Sequence, residues 1–166
     1  MTDTLHESQT TFPDDRPTGT ITRVRDMVVT YRPHRFPLLV EGRAQTPREA
    51  AGLAAAILGN TTVEQVLVLH LDTKRSLIGV HVVSQGTLDA ALVHPREVFK
   101  VALLANAASV ILAHNHPSGD PTPSEEDLVL TKRLAACGVL LGVAVTDHIV
   151  IGQDGAYCSL QETGRL

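Results

Sequence analysis

The sequence predicts an α/β fold of the α+β kind, one mixed β-sheet flanked by helices, and three observations carry that expectation. Short apolar, β-branched runs interleave with longer stretches of helical period. Capping signals open the helical stretches. The length, 166 residues, fits one domain around one core.

Taken in order, residues 1–18 are polar, carry Pro13 and Pro17, and read as a disordered arm. Residues 19–43 form an N-terminal extension, in which residues 20–31 alternate as a strand before Pro33 and Pro37 break it. The domain proper is expected over residues 44–166. Thr46, Pro47 and Glu49 make an N-cap, a first-turn proline and a capping-box acid, so a helix should run to Leu58 and stop at Gly59. Residues 65–71 and 76–83 should pair as a hairpin across Asp72-Thr73-Lys74-Arg75. His94-Pro95 opens a second helix to about Ala107, with Val98, Val101, Leu104 and Leu103 or Ala105 facing inward. Residues 109–113 (SVILA) are a fully apolar, central strand. Ser124 starts a third helix, which Gly138 should stop near Ala136, and residues 139–146 and 148–152 complete the sheet as two further strands.

Composition excludes several classes. Aromatics are 3% and tryptophan is absent, so few rings can serve as stacking platforms for single-stranded nucleic acid. The net charge of −4 argues against a protein that lives by gripping phosphates. The exception is residues 21–48, where six arginines (23, 25, 32, 35, 43 and 48) face only Asp26 and Glu41. A solvated face is the plain reading of such a run, and a nucleic-acid contact is the alternative. Cys137 and Cys158 form no CxxC pair and read as small core groups. With no signal peptide and no apolar run long enough to span a bilayer, the expected location is cytoplasmic.

The informative stretch is 114–127, HNHPSGDPTPSEED. His114 and His116 lie two apart at the end of a strand, where the period of two puts both imidazoles on one side. Pro117, Pro121 and Pro123 stiffen the following loop and Gly119 bends it, which returns Asp127 to the first turn of the next helix. Two imidazoles and one carboxylate leave a fourth tetrahedral position open to water, the pattern of a catalytic zinc site. Ser124-x-x-Asp127 is also a capping box with Asp in place of Glu. A contiguous His-Asn-His is no evidence for an HNH nuclease, whose named residues are spread over a ββα-metal unit.

The stretch resembles the H-x-H-P-x-G-x-x-x-P-S-x-x-D signature of the JAB/MPN (JAMM) metallohydrolases, in their RadC-like branch. Thr46-Pro47, Glu64, residues 71–74 (LDTK), 84–87 (SQGT), 94–99 (HPREVF) and 147–152 (DHIVIG) are similar to RadC-family text as well, so the likeness covers roughly residues 44–166. Residues 1–43 leave no room for the helix-hairpin-helix-like region of longer RadC proteins, which places the likeness with short stand-alone forms.

The resemblance implies a JAB1/MPN, cytidine deaminase-like architecture. It implies one Zn2+ per chain on His114, His116 and Asp127, with Ser124 beside a developing oxyanion. It also implies an upstream glutamate that handles the proton of the attacking water. Glu64 fits, immediately before the strand at 65–71. Glu97 stands second, because an acid in the first turn of a helix is already explained by the helix dipole.

The implied activity is peptidase or isopeptidase chemistry on an unidentified substrate. The alternative is a DNA-processing nuclease or DNA-repair accessory factor, with the arginine-rich segment as its contact. A homodimer is compatible with the exposed strand edges. His148 reads as a hydrogen-bonded structural histidine, with a contact beside the metal or to substrate as the alternative; His70 and His81 read as partly exposed strand positions, His94 as a cap or loop residue, and Asp120 as a turn residue near the metal.

Overall fold

The computed structural model describes residues 44–59, 61–86 and 93–166. The expected strand over 20–31, the arm and most of the arginine-rich segment lie outside these residues. Of that segment's arginines, Arg48 is described, exposed on the first helix.

The elements run α1 (Pro47–Leu58), β1 (Gln65–Leu71), β2 (Leu77–Gln85), α2 (Pro95–Leu104), β3 (Ser109–Asn115), α3 (Glu125–Leu141), β4 (Ala144–Ile151) and β5 (Tyr157–Ser159). Among the described residues the strands form one sheet in the order β2-β1-β3-β4-β5. The β3–β4 pair is parallel and the others are antiparallel, so the sheet is mixed as expected. Parallel neighbours need a crossover, and α3 supplies it.

Each face of the sheet is buried under helices. Leu67, Leu69, Leu71, Ile111, Ala113 and Ile149 pack with Leu53, Ala54 and Leu58 of α1. Val66, Val68, Val110 and Leu112 pack with Val98, Phe99 and Ala102 of α2 and Leu130 and Leu134 of α3. Strands covered on both faces carry no polar alternation, which is why β1 and β3 read as unbroken apolar runs. Each such side chain contributes roughly 1.5–3 kcal/mol by leaving water, enough to fix the centre of the sheet.

The caps form where the residues specify them. Thr46 and Glu49 make a reciprocal capping box, His94 accepts from the Arg96 N–H, and Ser124 with Asp127 makes a second capping box. Gly59 ends α1 at φ +62°.

Several expectations need correction. Gly138 does not stop α3, which continues to Leu141 and ends at Gly142 in the left-handed region, φ +70°. Gly138 is instead a packing position: a Cβ there would lie 2.5 Å from the Val143 carbonyl oxygen and 3.4 Å from Phe99. Val139 and Leu140, expected in a strand, are 80% and 86% exposed on the last helical turn. The two expected strands over 139–152 are one, β4, because Asp147-His148 is a satisfied buried pair and no turn. Asp147 accepts from the His148 N–H (2.7 Å), the Gln161 N–H (3.1 Å) and the Ser159 hydroxyl (2.7 Å), which ties β5 and the C-terminal segment to β4. Burial pushes the Asp147 carboxyl up, and these donors partly offset it.

The inward face of α2 is also displaced by a residue, to Val98, Phe99 and Ala102, with Leu103 and Leu104 about half exposed. His70 is buried, stacked on His81 and bonded to it at 2.8 Å. Cys137 and Cys158 are free and partly buried. No helix among the described residues is long and apolar enough to cross a membrane.

The close approach at Gly138 yields a prediction opposite to helix propensity, which favours alanine there by about 1 kcal/mol. Gly138→Ala should destabilise the protein by about 1–3 kcal/mol in a urea titration, because the obstructing atom is backbone. Stabilisation by Gly138→Ala would contradict this packing.

Candidate metal centre

His114 is the penultimate residue of β3 and fully buried, on the face shared with α2 and α3. His116 follows the strand end, held by its N–H to the Ile151 carbonyl at 2.9 Å. The loop then folds back at Gly119, φ +84°, against the segment after β4. A Cβ on Gly152 would lie 2.5 Å from the Gly119 carbonyl and 2.9 Å from Pro121, so only glycine lets the two segments meet. That return places Asp127 beside the histidines.

The donors converge. His114 Nε2 and His116 Nε2 are 3.0 Å apart. Asp127 Oδ1 lies 3.3 Å from the first and Oδ2 3.6 Å from the second. Glu64 Oε1 is 3.9 Å from both. One donor atom each from Glu64, His114 and His116 lies within 4.8 Å of the others. Glu97 is elsewhere, on α2, paired with Lys100 at 2.5 Å.

The protonation of these rings follows from carbonyl anchors, which can only accept. His116 Nδ1 is 2.7 Å from the Asp120 carbonyl, so it carries a proton there, and in the neutral ring Nε2 is bare. A longer chain serves His114. The Thr131 hydroxyl donates to the Asp127 carbonyl at 2.6 Å. Its single hydrogen is thereby committed, so at 2.5 Å it accepts from His148 Nδ1–H. His148 Nε2 is then an acceptor, 2.9 Å from His114 Nδ1, which must donate. His114 Nε2 is left bare in turn. Burial pushes the His148 pKa down to about 3, in keeping with a neutral ring.

Two lone pairs 3.0 Å apart, rimmed by two carboxylates, repel one another unless a cation sits among them. The 3.0 Å between His114 Nε2 and His116 Nε2 is close to the edge of a tetrahedron with ~2.0–2.1 Å arms, about 3.3 Å, and Asp127 approaches each ring with a different oxygen. These residues therefore fit a divalent metal and could hold one. Burial raises the Asp127 pKa, and the hydroxyl and N–H of Ser124 lower it by donating to the carboxylate. Ser124 donates its hydroxyl (2.7 Å) and its N–H (2.8 Å) to Asp127 Oδ2. An open cleft of about 430 Å3 lies over the donors, walled by Glu64, His116, Pro117, Ser118, Ser124, Glu126, Asp127 and Leu130. That volume suits a ligand or a short chain segment.

The sequence reads His148 as structural, with a contact to the site as the alternative, and Asp120 as a turn residue near the metal; it does not single out Thr131. The signal for His148 was a polar Asp-His pair inside the apolar run AVTDHIVI, which a buried strand tolerates only when both are satisfied. Thr131 carried no signal beyond its place one turn after Asp127.

The family model of the RadC-like JAB domain matches residues 44–165. Over 120 residues the chain is 51% identical to the UPF0758 protein STH371 of Symbiobacterium thermophilum, covering 72% of this chain and 51% of that protein. It is 49% identical over 119 residues to a UPF0758 protein of Methanosarcina acetivorans, covering 72% and 52%. With a UPF0758 protein of Methanococcoides burtonii the identity is 55% over 103 residues, covering 62% and 44%. The chain spans about half the length of these curated relatives.

The relay through Thr131 sets a prediction. Thr131→Val removes the acceptor that fixes the His148 tautomer, and should weaken binding of added Zn2+ by on the order of 10–100-fold, the range for lost outer contacts to a metal-binding histidine. Competition against a chromophoric chelator measures it. Thr131→Ser should stay near wild type, and equal affinity in Thr131→Val would remove the relay from the account.

Proposed function

This chain belongs to the RadC-like JAB domain family, and we propose that it is a zinc-dependent hydrolase of the JAMM type, acting on peptide or isopeptide bonds. The observation that carries the reading is the pair of bare imidazole nitrogens, 3.0 Å apart and rimmed by carboxylates, at the floor of an open cleft. His114, His116 and Asp127 would hold the ion. Bound there, zinc supplies Lewis acidity, which polarises a scissile carbonyl and brings the pKa of water to about 7.

The chain's own groups do the rest. The Glu64 carboxylate, 18% exposed at the cleft wall, takes a proton from the attacking water and delivers it to the leaving amine. Ser124 stands next to Asp127 with its hydroxyl hydrogen on Oδ2. Turning that hydrogen towards the cleft lets it meet the charge that develops on the carbonyl oxygen. The cytoplasm, where two unpaired cysteines stay reduced, is the setting that goes with this reading.

Charge favours a carbonyl substrate over a phosphodiester. Among the described residues the cleft walls carry Glu64, Glu126 and Asp127 and no lysine or arginine. Acidic walls attract a cationic or neutral peptide and repel a polyanion.

A panel of peptide, isopeptide and DNA substrates tests the reading. Zinc-loaded protein should cleave an amide substrate and leave DNA intact. Glu64→Gln should lower kcat by about 10²–10⁴-fold at saturating zinc, while Glu97→Gln stays near wild type. Loss of activity in Glu97→Gln alone would move the base, and DNA cleavage without amide cleavage would replace the reading by the nuclease one.

A further inference from the structure

The middle residue of the His-Asn-His triplet takes no part in the metal centre. Asn115 sits on the opposite face of β3 from His114, in register with Ile151 on the side covered by α1, and is 8% exposed. Its carboxamide makes two bonds across the fold. Oδ1 accepts from the Gln65 N–H at 2.9 Å, and Nδ2 donates to the Val63 carbonyl at 3.1 Å. These are the two backbone groups that flank Glu64.

The place of these bonds gives them meaning. The β1–β3 ladder reaches its end at Val66 opposite His114. Beyond it the Asn115 carboxamide, which carries one acceptor and two donors, imitates a further peptide group and continues the pairing onto residues 63–65. On the other side the Glu64 carbonyl accepts from the Gly86 N–H at 2.9 Å, just past β2. The backbone around Glu64 is thus held from both neighbours, where a strand end would otherwise fray. Ser, Thr or Ala could not reach both groups.

We propose that Asn115 is a positioning residue for Glu64: its carboxamide brackets the Glu64 backbone and holds that carboxylate over the His114–His116 pair. One residue of β3 thereby ties the carboxylate just before β1 to the histidines on either side of itself in sequence. The inference rests on the reading that Glu64 works at a metal held by those histidines.

A double-mutant cycle on zinc affinity, read with full-length protein by chelator competition, tests it without a substrate. Glu64→Gln should weaken zinc by on the order of tenfold, the lower end expected for a group beside the ion. Asn115→Ala should weaken it several-fold in the wild-type background and not at all in Glu64→Gln, because its effect passes through that carboxylate. If Asn115→Ala costs the same factor in both backgrounds, or nothing in wild type, the inference is overturned and the metal reading stands. If Glu64→Gln leaves affinity unchanged, Glu64 is not at the ion and the inference falls with its role. If wild type binds no zinc, the parent reading falls too. Asn115→Ser, which keeps a hydroxyl but spans only one of the two groups, carries the same comparison should Asn115→Ala lose its thermal transition.

Discussion

The arrangement depends on one electrostatic constraint: two imidazole nitrogens are held 3.0 Å apart, one on the fully buried His114 ring and one on the His116 ring at the cleft wall. Neither can turn away. Each ring is locked through its other nitrogen, His116 on a loop carbonyl and His114 on a chain of donors ending at a helix carbonyl. Two acceptors facing one another at this distance repel unless a cation joins them. Much of the surrounding structure can be read as the means of enforcing that unfavourable contact, and the metal reading as the reason for it.

The β3–α3–β4 crossover is the frame. It sets β3 and β4 side by side and parallel, which brings His148 next to His114, and it lays α3 over both so that Thr131 completes the chain. The same helix begins at Asp127's turn, so the capping box that starts α3 also orients the carboxylate. Ser124 serves the helix and the site with the same atoms. The apolar layers on both faces of the sheet hold this frame rigid, as a site made of fixed donors requires.

Most of this was legible in the sequence. The helices announced themselves at Thr46-Pro47, His94-Pro95 and Ser124, and β1 and β3 by their apolar runs, because local chemistry decides those features. His114, His116 and Asp127 stood out because a strand period of two and a proline-rich return are also local. What stayed hidden depends on neighbours distant in sequence. Gly138 looked like a helix stop, since nothing nearby in sequence reveals the Val143 carbonyl and the Phe99 ring that require it. Asp147-His148 looked like a break between strands, because a polar pair in an apolar run is stable only through Ser159, Gln161, Thr131 and His114. Glu64 was marked by family resemblance alone, and its approach to the histidines comes from strand pairing that no local pattern encodes.

The central claim is that the two bare nitrogens exist to hold a metal ion. Isothermal titration of metal-stripped protein with Zn2+ tests it most directly. The account predicts one zinc per chain in wild type and loss of that binding in His116→Ala. No saturable binding in wild type, or equal binding in His116→Ala, would contradict it.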